Sequence, residues 1–281
     1  MVYSEAMKIL MCTGGSKYAK DAIKFGAQIA KGLATEVIVL SVKEPGQDIK
    51  IAEDALVYAM EVLENFSIKA KTKIREGEPA HEILDETELG YDLLIIGYLG
   101  TKGIARFLLG DTAIRVVEYS KIPTLIVKGD RKLSKILLCI SASKYSEEVV
   151  EFVGKIARAT GSKVMVLYVK PFPTMFDSQL EDRQSELLFE LFPVETEYLK
   201  KAAETLINMG IKDVNIKMRK GFCEEKILEE AAEEDADLIA VGSHGWWGLS
   251  SLLVGALSFT IAKHAKTSVL IVKPKEMQIA K

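Results

Sequence analysis

Short apolar runs bounded by turn residues alternate along this chain with stretches whose apolar residues recur every three or four positions. Met7–Cys12, Glu36–Val42, Asp92–Gly97 and Pro123–Lys128 are rich in aliphatic and β-branched residues and predict strands. Ala70–Arg75 predicts a weaker, edge-like strand. Between the first two runs, Ala19, Ala22, Ile23, Gly26, Ile29, Ala30 and Leu33 fall on one helical face. Ser16 precedes that face in N-cap position, and Ser143 is expected to do the same in the second half of the chain. Near-continuous apolar strands separated by amphipathic helices predict a parallel sheet covered on both sides.

The pattern occurs twice. Lys8-Ile9-Leu10-Met11-Cys12 matches Lys135-Ile136-Leu137-Leu138-Cys139 at an offset of 127 residues. Gly77 with Ile83-Leu84 matches Gly221 with Ile227-Leu228 at 144, and Leu125-Ile126-Val127-Lys128 matches Leu270-Ile271-Val272-Lys273 at 145. Order is preserved, so the chain is a tandem duplication of one α/β unit, doubly wound in each copy. The boundaries predicted are 1–130 and 131–281, joined by the short polar stretch Gly129-Asp130-Arg131-Lys132. The growth in offset places an insertion after Lys170, near 171–190, that adds Phe172, Phe176, Phe189 and Phe192. Part of it is expected to be a helix with one apolar side, lying over the second half's cleft or on a partner. Pro123–Lys128 and Ser268–Lys273 are apolar edge candidates, expected to pair the two halves internally, with further association of whole chains into a homodimer.

Composition narrows the functional classes. A net charge of −3, with charged residues at 27% and apolar ones at 48%, is an ordinary globular mixture. It lacks the clustered basic face that a nucleic-acid binder needs. Three cysteines without a C-x-x-C pattern fit a reducing compartment, and no leader pattern opens the sequence, so a cytoplasmic location is expected. Three widely spaced histidines predict no metal centre. Leu238–Ala262 holds no Asp, Glu, Lys or Arg, yet its four glycines punctuate rather than extend a helix, and a membrane span is not expected.

In open parallel sheets ligands bind beyond the carboxyl ends of strands where the winding reverses. Two segments of each half arrive there. One follows the first strand: Thr13-Gly14-Gly15-Ser16 and Ile140-Ser141-Ala142-Ser143. The other follows the fourth: Gly97-Tyr98-Leu99-Gly100 and, after nine residues, Gly110-Asp111-Thr112. Its second-half counterpart is Gly242-Ser243-His244-Gly245 and then Gly255-Ala256-Leu257. Glycines at both ends of a turn that feeds a helix serve any tight strand–helix connection. The same spacing in both halves points instead to backbone N–H groups gathered around an anion.

These motifs, with Gly77-Glu78-Pro79-Ala80 before an amphipathic helix, make the chain resemble the universal stress protein family in both halves. The resemblance implies a five-stranded parallel sheet per half and, in the nucleotide-binding branch of the family, ATP or AMP in the cleft, with Mg²⁺ possible beside ATP. The implied nucleotide-binding positions in the second half are Ile140, Ser141, Val169, Val241, Gly242, His244, Gly245, Gly255, Ala256 and Leu257. In the first half they are Thr13, Gly14, Val42, Ile96, Gly97, Gly100, Gly110, Asp111 and Thr112. The chain departs from the family at two points. Gly14 and Ser141 stand where the family carries an Asp near the adenine, and the third glycine is followed by Asp111 or Ala256 rather than Ser or Thr. Asp111 repels a phosphate unless a cation bridges it, whereas Ala256 removes one hydroxyl contact only. The second half is therefore expected to bind more tightly.

No G-x4-G-K-[ST] or G-x-S-x-G is present, and no Cys has a recognisable His partner. Cys12 and Cys139 read as small buried hydrophobes, His244 as a phosphate contact or the partner of a turn carbonyl, and adjacent Trp246 and Trp247 as an interface anchor. The function expected is an adenine-nucleotide-binding regulatory stress-response protein without efficient turnover. The alternatives are a dimeric interaction protein with degenerate clefts, and a slow ATPase.

Overall fold

The computed structural model describes residues 7–33, 36–98, 109–143, 145–171, 185–243 and 255–274. The first half runs β1 (Lys8–Cys12), α1 (Lys17–Gly32), β2 (Glu36–Lys43), α2 (Ile49–Asn65), β3 (Ala70–Glu76), α3 (Pro79–Thr87), β4 (Leu93–Gly97), α4 (Asp111–Tyr119) and β5 (Thr124–Val127). The second runs β6 (Lys135–Ile140), α5 (Ser146–Thr160), β7 (Lys163–Lys170), α6 (Ser185–Leu191), α7 (Pro193–Asn208), β8 (Val214–Lys220), α8 (Cys223–Glu233), β9 (Leu238–Gly242), α9 (Ala256–His264) and β10 (Ser268–Val272). Each half contributes five parallel strands, and the two sets form one sheet in the order β3-β2-β1-β4-β5-β10-β9-β6-β7-β8.

Burial follows from the strand alternation. Ile9 and Met11 point to the side covered by Phe25, Ile29, Leu56 and, in the second half, Val153 and Leu206. Leu10 points, with Ile126 of β5, to the side covered by Ile83 and Val116, with Ile227 and Ile261 as second-half counterparts. The outermost strand β3 is largely exposed, as its charged sequence predicts for an edge.

The halves meet at the one antiparallel pair among the described residues, β5 with β10, as expected from their apolar edges. Leu125 lies opposite Leu270, and these two are equivalent positions of the repeat. A pseudo-two-fold axis therefore passes between them, as a self-complementary interface requires. Helices α1 and α5 pack on each other across the same axis.

Two local expectations meet different outcomes. The Ser16 hydroxyl accepts from the Ala19 N–H at 3.2 Å and caps α1. Ser143 does not cap its helix: α5 begins at Ser146, with Tyr145 in the N-cap position and no side-chain cap. The competing bonds are local. Ser143 Oγ accepts from Ser141 Oγ at 3.1 Å, and the Ser146 hydroxyl donates back to the Ser141 carbonyl, so the chain turns before it winds. In the inserted region Leu188 is buried, and Phe189 and Phe192 are packed against the core, where α6 lies on α7 and β8. Phe172 and Phe176 lie outside the described residues. No helix among the described residues is long and apolar enough to cross a membrane.

Candidate functional site

From β6 the second half winds outward through β7 to β8, then returns to the other side of β6 for β9 and β10. The carboxyl ends of β6 and β9 thus flank the reversal point. A cleft of about 390 Å³ opens there between Cys139, Ile140 and Ser141 of the β6 end, Leu167 and Val169 of β7, Ile227 of α8, Val241 and Gly242 of β9, and Leu257 and Ser258 of α9. A second hollow of about 260 Å³ shares Cys139, Ile140, Ser141 and Gly242 and continues to Ser143, Tyr145, Ser146 and Ser243. Both hollows are open to solvent, and their lining combines apolar walls with a few placed polar groups, the mixture typical of small-ligand sites.

The N-terminus of α9 is fixed against the end of β9 by two bonds. The Ser258 hydroxyl donates to the Gly242 carbonyl at 2.6 Å, and the Gly255 N–H donates to the Ser243 carbonyl at 2.8 Å. Ser243 in turn donates its N–H to Val272 O of β10. Gly255 is the N-cap and offers no side-chain acceptor, and no acid stands in the first turn. That first turn, through Leu257 and Ser258, lines the cleft, and no side chain among the described residues caps its N–H groups. No lysine or arginine is among the described residues that line either hollow.

The far wall of the cleft is held by a buried ion cluster. Glu230 of α8 is fully buried and receives Lys217 Nζ and Arg219 Nη1, each at 2.7 Å, from β8. This pins α8 to the sheet one turn beyond Ile227. The first half repeats the arrangement: Glu86 of α3 takes Lys73 at 2.6 Å and Arg75 at 3.0 Å, and also the Tyr91 hydroxyl at 2.7 Å. Burial pushes the Glu86 carboxyl up, but the hydrogen bonds from Lys73, Tyr91 and Arg75 outweigh it and leave Glu86 below its ordinary value. Burial also pushes the thiols of Cys12 and Cys139 upward, which keeps them protonated and poor nucleophiles.

Six of the second-half positions expected from sequence line the cleft: Ile140, Ser141, Val169, Val241, Gly242 and Leu257. Gly255 and Ala256 immediately precede Leu257 at the start of α9. His244 and Gly245 lie outside the described residues, as do Trp246 and Trp247. Sequence reasoning missed Cys139, Leu167, Ile227 and Ser258. Leu167 shares the strand face of Val169 two residues on, and Ile227 had already emerged as one anchor of the repeat; those were the available signals.

The first half gathers the equivalent set with different chemistry. Thr13 is buried at the end of β1, and its N–H donates to Leu40 O at 2.9 Å. Gly14 is exposed beside it, Val42 lies next to the last residue of β2, and Ile96 and Gly97 end β4. Gly97 is required there: a Cβ would stand 2.5 Å from the Tyr18 carbonyl oxygen, where α1 crosses the strand end. The next residue, Tyr98, is buried and stacks edge-on against Tyr18 with ring centres 5.5 Å apart. Gly110 is the N-cap of α4, and Asp111 places a carboxylate in the first turn, with Thr112 following. Gly100 lies outside the described residues.

The sequence model of the universal stress protein family matches this chain twice, over residues 5–128 and 132–273. A universal stress protein of Mycolicibacterium smegmatis is 26% identical over 75% of this chain and 71% of its own length. One from Methanocaldococcus jannaschii is 30% identical over 44% of this chain and 84% of its own. Among solved structures, a universal stress protein from Archaeoglobus fulgidus superposes with a TM-score of 0.72 at 22% identity, covering 95% of this chain and 98% of that one. A second structure, from Pseudomonas aeruginosa, gives 0.69 at 18% identity, covering 98% and 95%.

Proposed function

The chain belongs to the universal stress protein family, and from that premise we propose that its second-half cleft binds an adenine nucleotide as a regulatory ligand. One observation carries the reading. The cleft at the β6–β9 reversal point combines apolar walls, from Val169, Val241, Ile227 and Leu257, with an N-terminus of α9 that has no acid in its first turn and no side-chain cap among the described residues. Val169 and Ile227 suit the faces of a base. The first-turn N–H groups after Gly255 suit a phosphate, and Ser141 and Ser258 suit sugar or phosphate oxygens. Asp111 gives the first-half cleft the opposite charge at the matching place, so that half binds more weakly.

With no lysine or arginine among the described lining residues, phosphate binding rests on backbone donors and the helix dipole, worth about 0.3–2 kcal/mol for a nearby charge. A monophosphate suits such a site better than a bare triphosphate, and Mg²⁺ accompanying ATP would supply charge neutralisation. The same absence of a fixed cation opposes rapid phosphoryl transfer, so turnover is slow. The two units, 1–130 and 131–281, then act as one regulatory body in the cytoplasm, as a homodimer of internally paired chains.

The test is a competition between AMP and ATP for the full chain, with and without Mg²⁺. AMP should compete well with metal-free ATP, and Mg²⁺ should narrow the gap. Metal-free ATP winning by tenfold, about 1.4 kcal/mol, would contradict this account of the phosphate end.

A further inference from the structure

The halves exchange a pair of contacts that bear directly on the clefts. Lys128 follows β5, Lys273 follows β10, and the two hold equivalent positions in the repeat. Lys128 Nζ donates to the carbonyl oxygen of Ala265 at 2.6 Å, and Lys273 Nζ donates to the carbonyl of Ser120. Ala265 is the C-cap of α9 and Ser120 the C-cap of α4. Each lysine therefore crosses the β5–β10 seam and closes the last turn of the other half's helix. A lysine Nζ donor suits that place, because a helix C-terminus leaves carbonyls without partners.

The contacts are withdrawn from water. Lys273 is 5% exposed, and Lys128 lies with Nζ 5.1 Å from the centre of the Tyr98 ring. An ammonium taken out of water must find compensating contacts, and here the acceptor it finds belongs to the helix that forms the opposite cleft. Helix α9 is a rod of nine residues, about 13 Å long at 1.5 Å per residue. Its N-terminal end is fastened within its own half, by Ser258 to Gly242 and by Gly255 to Ser243. Its C-terminal end takes the Lys128 bond from the first half. Between these two fastenings α9 packs on α8 and β10 through buried Ile261 and Ala262.

We propose that Lys128, a residue of the first half, is a positioning residue for the second-half cleft: its cap on Ala265 sets α9 against the cleft, and Lys273 serves α4 in the same way. Duplication on one chain thereby links each cleft helix to the neighbouring half. The ligand side of this inference rests on the nucleotide reading above; the mechanical side rests on the seam contacts alone.

Two measurements on the full chain separate these. The first is AMP affinity by calorimetry for wild type, Lys128→Met, Lys128→Arg and Lys273→Met. Lys128→Met should raise Kd at least fivefold, while Lys128→Arg and Lys273→Met stay within twofold. A merely structural role for the seam would make the two methionine variants alike, because each removes one equivalent cap; that result overturns the proposal. The second is amide hydrogen exchange without ligand. Lys128→Met should speed exchange in the last turns of α9 and spare α4, and Lys273→Met should do the reverse. Unchanged exchange in α9 of Lys128→Met overturns the proposal even if AMP binds. Absence of AMP binding to wild type defeats the nucleotide reading, and the exchange pattern then decides the positioning role by itself.

Discussion

Gly32 and Ala159 hold the same position in the two copies of the repeat, and they face each other where α1 and α5 cross. A Cβ on Gly32 would stand 2.4 Å from the Ala159 carbonyl oxygen and 2.7 Å from its Cβ. Only one of the two equivalent sites can carry a methyl group at this helix spacing. Gly32→Ala would ordinarily gain up to about 1 kcal/mol of helix propensity. Here it should destabilise the chain by about 2 kcal/mol, through crowding of backbone that cannot move aside. Urea denaturation of the variant reads the sign. A stabilised Gly32→Ala would mean that the halves are not packed as described.

Acid should loosen the first half through Glu86. Its carboxyl sits below the ordinary value, because hydrogen bonds from Lys73, Tyr91 and Arg75 outweigh burial. A lowered carboxyl stabilises the fold fully above its unfolded value of 4.5 and loses that contribution as pH falls through the lowered one. Glu86→Ala should cost about 3 kcal/mol at neutral pH, since it leaves Lys73 and Arg75 without their shared partner. It should also flatten the fall in stability below pH 4.5. Equal acid sensitivity of variant and wild type in denaturant titrations would contradict this.

Alkali should act in the opposite sense at the seam. Burial pushes Lys128 and Lys273 down to about 8 from 10.5. Between these values the unfolded chain holds protons that the folded chain has released, so stability contributed by these groups rises with pH across the window. Comparing wild type with the Lys128→Met, Lys273→Met double variant at pH 7.5 and 9.5 isolates the term. The wild type should gain on the variant as pH rises; a constant difference would show that neither lysine titrates there.

The repeat made most of the architecture readable before any coordinates. Periods of two and 3.6 located the strands and helices, and the matched runs ending at Lys128 and Lys273 identified the edges that pair. Ile140, Ser141 and Gly242 were legible at the cleft because strand ends at a winding reversal are a topological consequence of element order, whereas Cys139 read as a buried hydrophobe. Leu167 and Ile227 were not, since an apolar residue in a strand or helix face looks the same whether it meets the core or a ligand. Ser143 misled for a related reason: an N-cap signature does not reveal that neighbouring hydroxyls will compete for the same backbone groups. The reciprocal lysine caps were invisible too. Nothing in a lysine after an apolar strand says that the strand's partner will bring a helix C-terminus within reach.

The chemistry that separates the clefts can be exchanged between them. Ala256→Asp should impose the first half's carboxylate on the second and weaken AMP binding there by about tenfold, the loss of roughly 1.4 kcal/mol of favourable helix-terminus interaction. Asp111→Ala should strengthen binding in the first half. A tighter second-half site in Ala256→Asp would show that the ligand's charge is not where α9 begins.

The most direct measurement of the central claim is a calorimetric titration of the full chain with AMP, repeated on Val169→Trp and Val42→Trp. Val169 lines the second-half cleft, and Val42 is its equivalent in the first half, paired with Arg75 as Val169 is with Arg219. One dominant site per chain is expected, abolished by Val169→Trp and retained by Val42→Trp. Retention of that site in Val169→Trp, or its loss in Val42→Trp, would contradict it.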